Sequence, residues 1–163
     1  MILIALGANL PSRAGGPKDT LRAAVSSLEA RGITVESQSG FYRSPAWPNT
    51  SDPPFVNAVI KVKTALSPAE LLAQLHEIEV SFGRRRGPRN APRPLDLDLI
   101  DYDGRVEEGP PELPHPRAAS RAFVLIPLRD VAPGWRHPLG GSTVSELIAA
   151  LPQAEVTLVH PDD

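Results

Sequence analysis

Two aspartates and a cluster of arginines are the residues of this chain best equipped for chemistry. The stretch EVSFGRRRGPRNAPRPLDLDLI runs from Glu79 to Ile100 and holds Arg84, Arg85, Arg86, Arg89 and Arg93, followed by Asp96 and Asp98 alternating with Leu95, Leu97 and Leu99. On a β-strand, residues i and i+2 share a face. The leucines are therefore expected to bury on one side while both carboxylates project from the other. Paired hard oxygen ligands suit Mg²⁺, which takes one or two carboxylates and fills its remaining positions with water and phosphate oxygens. Arginines feeding that strand supply planar, permanently charged donors for the same phosphates. Metal and arginine clamp together are the equipment of phosphoryl transfer.

An Asp-x-Asp on a half-exposed strand otherwise reads as a solvated face, and an arginine run as a solvated loop. Asp is disfavoured in strands, however, and like charges on one strand face repel unless a cation lies between them. The combination favours the metal reading where either half alone would not.

The positioning elements follow from the rest of the chain. Its 163 residues suit a single domain, 1–163, with a sizeable core. Lys and Arg number 17 against 19 Asp and Glu, for a net charge of −2, so no global basic field points to nucleic acid. The positive charge is local, which suits a small anionic ligand. There is no cysteine, which excludes disulfides and thiolate metal sites and fits a reducing, cytoplasmic setting. MILIALGANL is too short and lacks the basic flank of a signal peptide, and no apolar run is of membrane-spanning length.

Ile2–Leu6 reads as a buried strand ending at Gly7, with a Pro/Gly/Ser loop over residues 11–19. Leu21, Val25 and Leu28 repeat at helical spacing up to Gly32, a C-terminal capping glycine. Ile33 to Glu36 alternates as a strand continuing towards Phe41 and Tyr42, and a proline-bracketed loop from Ser44 to Pro54 contains Trp47. Phe55–Lys63 is an alternating strand. Ser67-Pro68-Ala69-Glu70 predicts a capping box, with Leu71, Leu75, Ile78 and Phe82 as the apolar stripe of the helix it starts. Leu95–Tyr102 is the fourth strand. The remainder predicts a proline-rich loop (109–116), a helical stretch near Ala118–Val131, a capped helix from Thr143 to Leu151 and a short strand within Val156–Val159.

The order β-α-β-β-α-β predicts an α+β, ferredoxin-like core: a four-stranded antiparallel sheet with helices on one face, plus a C-terminal helical extension. If Val56, Ala58, Ile60 and Val62 face the helices, then Phe55, Asn57, Val59, Asp96 and Asp98 face the open side. An aromatic ring, an amide and two carboxylates would converge there.

Glu79 falls at the edge of its helix's buried stripe, as an ion-pair partner or a ligand, and its nearness to the arginines favours the ligand. His115, between prolines, reads on its own as a structural hydrogen bonder. Trp47 and Phe123 read as ordinary core, although the place of Trp47 in a polar loop invites stacking.

Arg89-Asn90-Ala91-Pro92-Arg93-Pro94-Leu95-Asp96-Leu97-Asp98-Leu99-Ile100 resembles the signature of the 6-hydroxymethyl-7,8-dihydropterin pyrophosphokinase family of folate enzymes, in its monofunctional form. Further landmarks fall in the family's order: Gly7-Ala8-Asn9, Phe41-Tyr42-Arg43-Ser44-Pro45, Phe55-Val56-Asn57-Ala58, Ile78-Glu79, Leu113-Pro114-His115 and Arg121-Ala122-Phe123. The resemblance implies transfer of the terminal pyrophosphate of ATP to the pterin hydroxymethyl group, releasing AMP, with two Mg²⁺ ions held by Asp96 and Asp98. It implies that Arg84 and Arg93 stabilise the transferred group, that Arg86 joins them in holding ATP, and that Glu79, His115 and Arg121 line the nucleotide site. The pterin would stack on Phe123, be read by Asn57 and the backbone near Ser44 and Pro45, and be enclosed by Trp47 and Phe55. Many members carry Trp where this chain has Asn90, Gly where it has Ala91, and Tyr where it has Pro116.

The expected partners are therefore ATP and a dihydropterin, with no nucleic acid or membrane and the chain acting as a monomer. The alternatives are another Mg²⁺-dependent nucleotide-using transferase, or a ferredoxin-like RNA-binding module, which Asp96 and Asp98 disfavour by repelling phosphate unless metal is bound.

Overall fold

The computed structural model describes residues 1–46, 51–83, 94–153 and 155–159. Its elements are β1 (Ile2–Ala8), α1 (Pro17–Ala30), β2 (Thr34–Gln38), β3 (Tyr42–Ser44), β4 (Phe55–Lys63), α2 (Pro68–Ser81), β5 (Asp96–Tyr102), a 3₁₀ turn (Ala118–Ser120), α3 (Ala122–Val131), α4 (Val144–Ala149) and β6 (Thr157–Leu158). Helix starts follow local chemistry. The Ser67 hydroxyl accepts from the Glu70 amide and the Glu70 carboxylate from the Ser67 amide, the capping box predicted for α2. Thr143 and Glu146 repeat that arrangement on α4. Helix α1 begins at Pro17, inside the stretch expected to be loop, because proline's fixed φ suits a first helical turn. It ends where Gly32 takes φ +79 and the Ile33 amide closes on the Leu28 carbonyl.

The sheet is antiparallel with strand order β5-β1-β4-β3-β6, and β2 also pairs with β4. Among the described residues it has six strands, against a four-stranded core and a short C-terminal strand expected. The C-terminal strand is β6, and the sixth arises because the expected second strand is divided. Gln38 pairs with Ile60 and Tyr42 with Asn57, so four steps on one side oppose three on the other. Ser39 absorbs the extra residue. Its amide donates to the Val59 carbonyl at 2.9 Å, and its hydroxyl oxygen accepts from the Val59 amide at 2.9 Å, a side chain standing in for a backbone rung.

Both sheet faces are covered, which corrects the expectation that helices lie on one face only. Helices α1 and α2 pack Leu21, Leu28, Leu71, Leu75 and Ile78 onto the face carrying Ile4, Leu6, Ala58, Ile60, Leu97 and Leu99. On the opposite face α3 and α4 bring Val124, Leu125, Leu128 and Val144, with Trp135, against Leu3, Ala5, Val59 and Ile100. Val59 is therefore core. A bulge in β5 helps to build this second core. Asp101 pairs with Leu3 and Leu99 with Ile4, leaving Ile100 as the extra residue. The bulge reverses the alternation, sending Tyr102 into the first core and Asp101 towards Trp135, whose indole N–H donates to it at 2.8 Å. The C-terminal elements cover only part of this face, and Asp96, Asp98 and Phe55 stay partly accessible beside them. Among the described residues no helix is long and apolar enough to cross a membrane.

Ser39→Ala would strand the buried Val59 amide. Urea unfolding followed by circular dichroism should show a loss of about 1–3 kcal/mol, the cost of leaving a buried donor unsatisfied.

Candidate active site

The alternation expected of β5 holds: Leu95, Leu97 and Leu99 are buried, and Asp96 and Asp98 are half-buried on the other face. Sheet register then assembles residues distant in sequence. Asp96 lies opposite Gly7, Gly7 opposite Asn57, and Asn57 opposite Tyr42, one row across four strands. Asp98, Ala5 and Val59 form the next row. Gly7 matters here for space. A Cβ at that position would stand 3.4 Å from the Asn57 side-chain oxygen and 3.9 Å from the Phe55 ring, so glycine keeps clear the surface between the carboxylate and the amide.

Asn57 is buried, and its amide nitrogen donates to the Ser44 hydroxyl at 2.8 Å and to the Tyr42 carbonyl at 3.3 Å. Those bonds fix which way the amide points and hold Ser44 beside it. Phe55 is half-buried at the end of the same face, and Pro45 is exposed. Tyr42 in turn donates its hydroxyl to Asp130 on α3 at 2.8 Å, and the Gly40 amide donates to the same oxygen at 3.2 Å. Burial, then the hydrogen bond and charge of Asp130, push the Tyr42 hydroxyl up to about 12, so it stays a donor.

The near end of α3 faces the carboxylates. Arg121, its N-cap residue, brings Nη1 to 3.9 Å from one Asp98 oxygen, and its guanidinium lies 5.5 Å from the Phe123 ring centroid. His115 Nε2 is 3.8 Å from the other Asp98 oxygen. Both separations are longer than a hydrogen bond, and the one to Arg121 is that of an ion pair. The His115 amide is anchored to the Ile100 carbonyl of β5 at 2.9 Å, and its Nδ1 accepts from the Arg117 amide at 3.2 Å. With Nδ1 an acceptor, the neutral ring must carry its proton on Nε2, the nitrogen aimed at Asp98. Burial and then the charge of Arg121 hold its pKa below the ordinary value, with Asp96 opposing. His115 thus presents an N–H donor to the site.

Glu79 is 3% exposed, deeper than the edge position expected, and its Oε2 accepts from the Leu97 amide at 2.8 Å. The structure therefore brings together Asp96, Asp98, His115 and Arg121, with Glu79 behind them, Phe123 beside Arg121, and Asn57, Ser44 and Phe55 across Gly7. Trp47, Arg84, Arg86 and Arg93 lie outside the described residues, as do Arg85 and Arg89. Sequence reasoning gave no site role to Gly7 or to the Tyr42–Asp130 link. A glycine closing an otherwise apolar strand was the available signal for the first. Nothing marked the second, because 88 residues separate the partners.

The donor set fits a hard divalent cation. Among the described residues no group of three or more His, Cys, Asp or Glu could hold a metal ion. Asp96 and Asp98 would thus serve a cation completed by water and by ligand oxygens, the habit of Mg²⁺ bound with phosphates. A cavity of about 520 Å³ is lined by His115 together with Val106, Glu107, Leu113, Pro116, His137 and Leu139 among others.

Comparison with known proteins gives concordant matches. The model of a family described as 7,8-dihydro-6-hydroxymethylpterin-pyrophosphokinase (HPPK) matches residues 3–133. A protein of Synechocystis sp. named 2-amino-4-hydroxy-6-hydroxymethyldihydropteridine pyrophosphokinase is 40% identical over 161 residues, spanning 98% of this chain and 78% of its own. One of the same name from Methylorubrum extorquens is 37% identical over 159 residues, spanning 96% and 97%. Among solved structures, a Plasmodium falciparum HPPK-DHPS triple mutant superposes with a TM-score of 0.69 at 14% identity, over 91% of this chain. This chain spans 43% of that larger one, and the likeness is one of fold.

The electrostatics of His115 can be checked directly. A folded pKa held below 6.5 means that the unfolded chain takes up its proton first as pH falls. Stability from this group is thus complete above about pH 6.5 and declines below it until the folded-state pKa is passed. NMR titration should give a midpoint below 6.5 with the Nε2-protonated tautomer, and His115→Gln should flatten the acid limb of the stability profile.

Proposed function

This chain belongs to the 7,8-dihydro-6-hydroxymethylpterin-pyrophosphokinase family, and on that premise we propose that it transfers pyrophosphate from ATP to the hydroxymethyl group of 6-hydroxymethyl-7,8-dihydropterin, releasing AMP, in folate biosynthesis. The observation that carries this reading at residue level is the row in which Asp96 stands across the empty Gly7 position from Asn57. One end of the row suits a cation and polyphosphate, and the other suits the polar edge of a flat heterocycle.

Asp96 and Asp98 would hold Mg²⁺, as a pair of ions. Such ions, when bound, supply charge neutralisation on the phosphate oxygens. Arg121 and the neutral His115 would donate to the nucleotide's phosphates, and the nucleoside would take the cavity that His115 lines. Pro116 lines that cavity where many members carry Tyr, so base contacts there fall to the backbone and to neighbouring side chains. Arg84, Arg86 and Arg93 are read as further phosphate ligands, with Arg84 and Arg93 on the transferred group. Asn57 and Ser44 would read the pterin's hydrogen-bonding edge, Phe123 would stack on its ring, and Phe55, Pro45 and Trp47 would enclose it.

In the reaction the hydroxymethyl oxygen attacks the β-phosphorus of ATP. The bond from that phosphorus to the α,β-bridging oxygen breaks, AMP leaves with the oxygen, and the hydroxyl proton passes to solvent. The protein's part is to bring the two substrates into line and to hold the developing charge. The order β5-β1-β4-β2, with α1 and α2 on one face, supports reading the core as ferredoxin-like with β3 and β6 added. The chain is taken to act as a monomer in the cytoplasm, in keeping with small-molecule substrates and the absence of cysteine.

Nucleotide products should be resolved after incubation with ATP, Mg²⁺ and the dihydropterin. Pterin-dependent AMP, abolished by chelation, is the expected result, and ADP or inorganic pyrophosphate as the product would overturn the assignment. Asp98→Asn should retain the fold and lower turnover by more than roughly a hundredfold, beyond what the loss of an outer-shell partner costs.

A further inference from the structure

Of the charged residues of helix α2, Glu79 is the buried one; Glu70 and Glu77 are exposed. A carboxylate taken out of water needs a compensating partner. Here the partner includes the Leu97 amide, 2.8 Å from Oε2. Leu97 is the residue between Asp96 and Asp98, and it buries its own side chain in the first core opposite Leu6. Among the described residues strand β5 is the last in the sheet order and pairs only with β1, so an amide on its outer edge has no further strand there to bond. Helix α2 fills that place with a side chain.

We infer that Glu79 is a positioning residue: by holding the Leu97 peptide it fixes the relative angle of the flanking aspartates and thereby the affinity for divalent metal, rather than touching the nucleotide. This rests on the reading that Asp96 and Asp98 hold the metal. The core fixes Leu97 from one face of the strand and β1 fixes it from one edge, while Glu79 closes the other edge. Without that bond the start of β5 can twist about the Leu97 peptide, and the carboxylates at i and i+2 lose their common aim. Outer-shell groups of this kind typically carry about 10–100-fold in metal affinity.

The test uses Mn²⁺ as the probe ion, read by its paramagnetic resonance, with α,β-methylene-ATP, whose carbon bridge cannot be cleaved to release AMP. In Glu79→Gln an amide oxygen remains to accept from Leu97, and Mn²⁺ affinity should stay within about threefold of the parent chain. In Glu79→Leu the acceptor is gone, and affinity should fall at least about tenfold. Binding of the analogue without divalent ion should be unchanged in both. A drop in that metal-free affinity would make Glu79 a nucleotide contact and overturn the proposal, as would parent-like Mn²⁺ binding by Glu79→Leu. If Glu79→Leu does not fold, amide exchange decides. Leu97 should be protected in the parent chain and in Glu79→Gln, and exchange at the rate of an exposed amide in the parent would overturn the proposal. None of these readouts needs turnover. A parent chain that binds Mn²⁺ with the analogue yet makes no AMP would therefore sink the functional reading alone.

Discussion

The demand made on strand β5 governs much of the rest of the structure: it must bury leucines on one side while holding two like charges together on the other. The pleat delivers that alternation at no cost in conformation, but the repulsion between neighbouring carboxylates works against it. The surroundings offset it. Leu97 and Leu99 lock into the first core, β1 pairs along one edge, the Glu79 side chain takes an amide at the other, and Arg121 and His115 approach Asp98 from the second face. A strand so held presents its two carboxylates in one geometry.

The second face carries both a core and the partly accessible row of Asp96 and Asn57. Helix α3 seals its far part with Val124, Leu125 and Leu128, and its first turn brings Arg121 and Phe123 to the edge of the part left accessible. Its last turn is tied through Asp130 to Tyr42 and Gly40. The helix is thus braced to the same row that holds Asn57, and the spacing between Phe123 and that row is set at both ends of one rigid element. The hydrogen bonds of Asn57 to Ser44 and Tyr42 extend the brace into the sheet. These bonds fix the orientation of the Asn57 amide.

Sign and protonation are divided cleanly across the site. Carboxylates occupy the β5 end, and burial together with Arg121 keeps His115 neutral with its proton on the nitrogen that faces Asp98. A neutral donor and the fixed charge of Arg121 thus face Asp98 side by side.

The amino-acid sequence by itself determined the properties that are local or periodic. The Asp-x-Asp between leucines, the capping boxes at Ser67 and Thr143, the C-terminal Gly32 and the alternation of β4 all follow from chemistry within a few residues. Only the tertiary structure decided what depends on register and on which surfaces meet. The bulge at Ser39 splits a strand that reads as continuous, because the one-residue mismatch arises only in the pairing with β4. The bulge at Ile100 exchanges the faces of Asp101 and Tyr102. The covering of the second sheet face turned on where the C-terminal helices fold back, and no pattern along α3 states which apolar surface it will meet. Glu79 lies 18 residues from Leu97 and Tyr42 lies 88 from Asp130. Such pairings are set by the packing of whole elements, which local sequence does not encode.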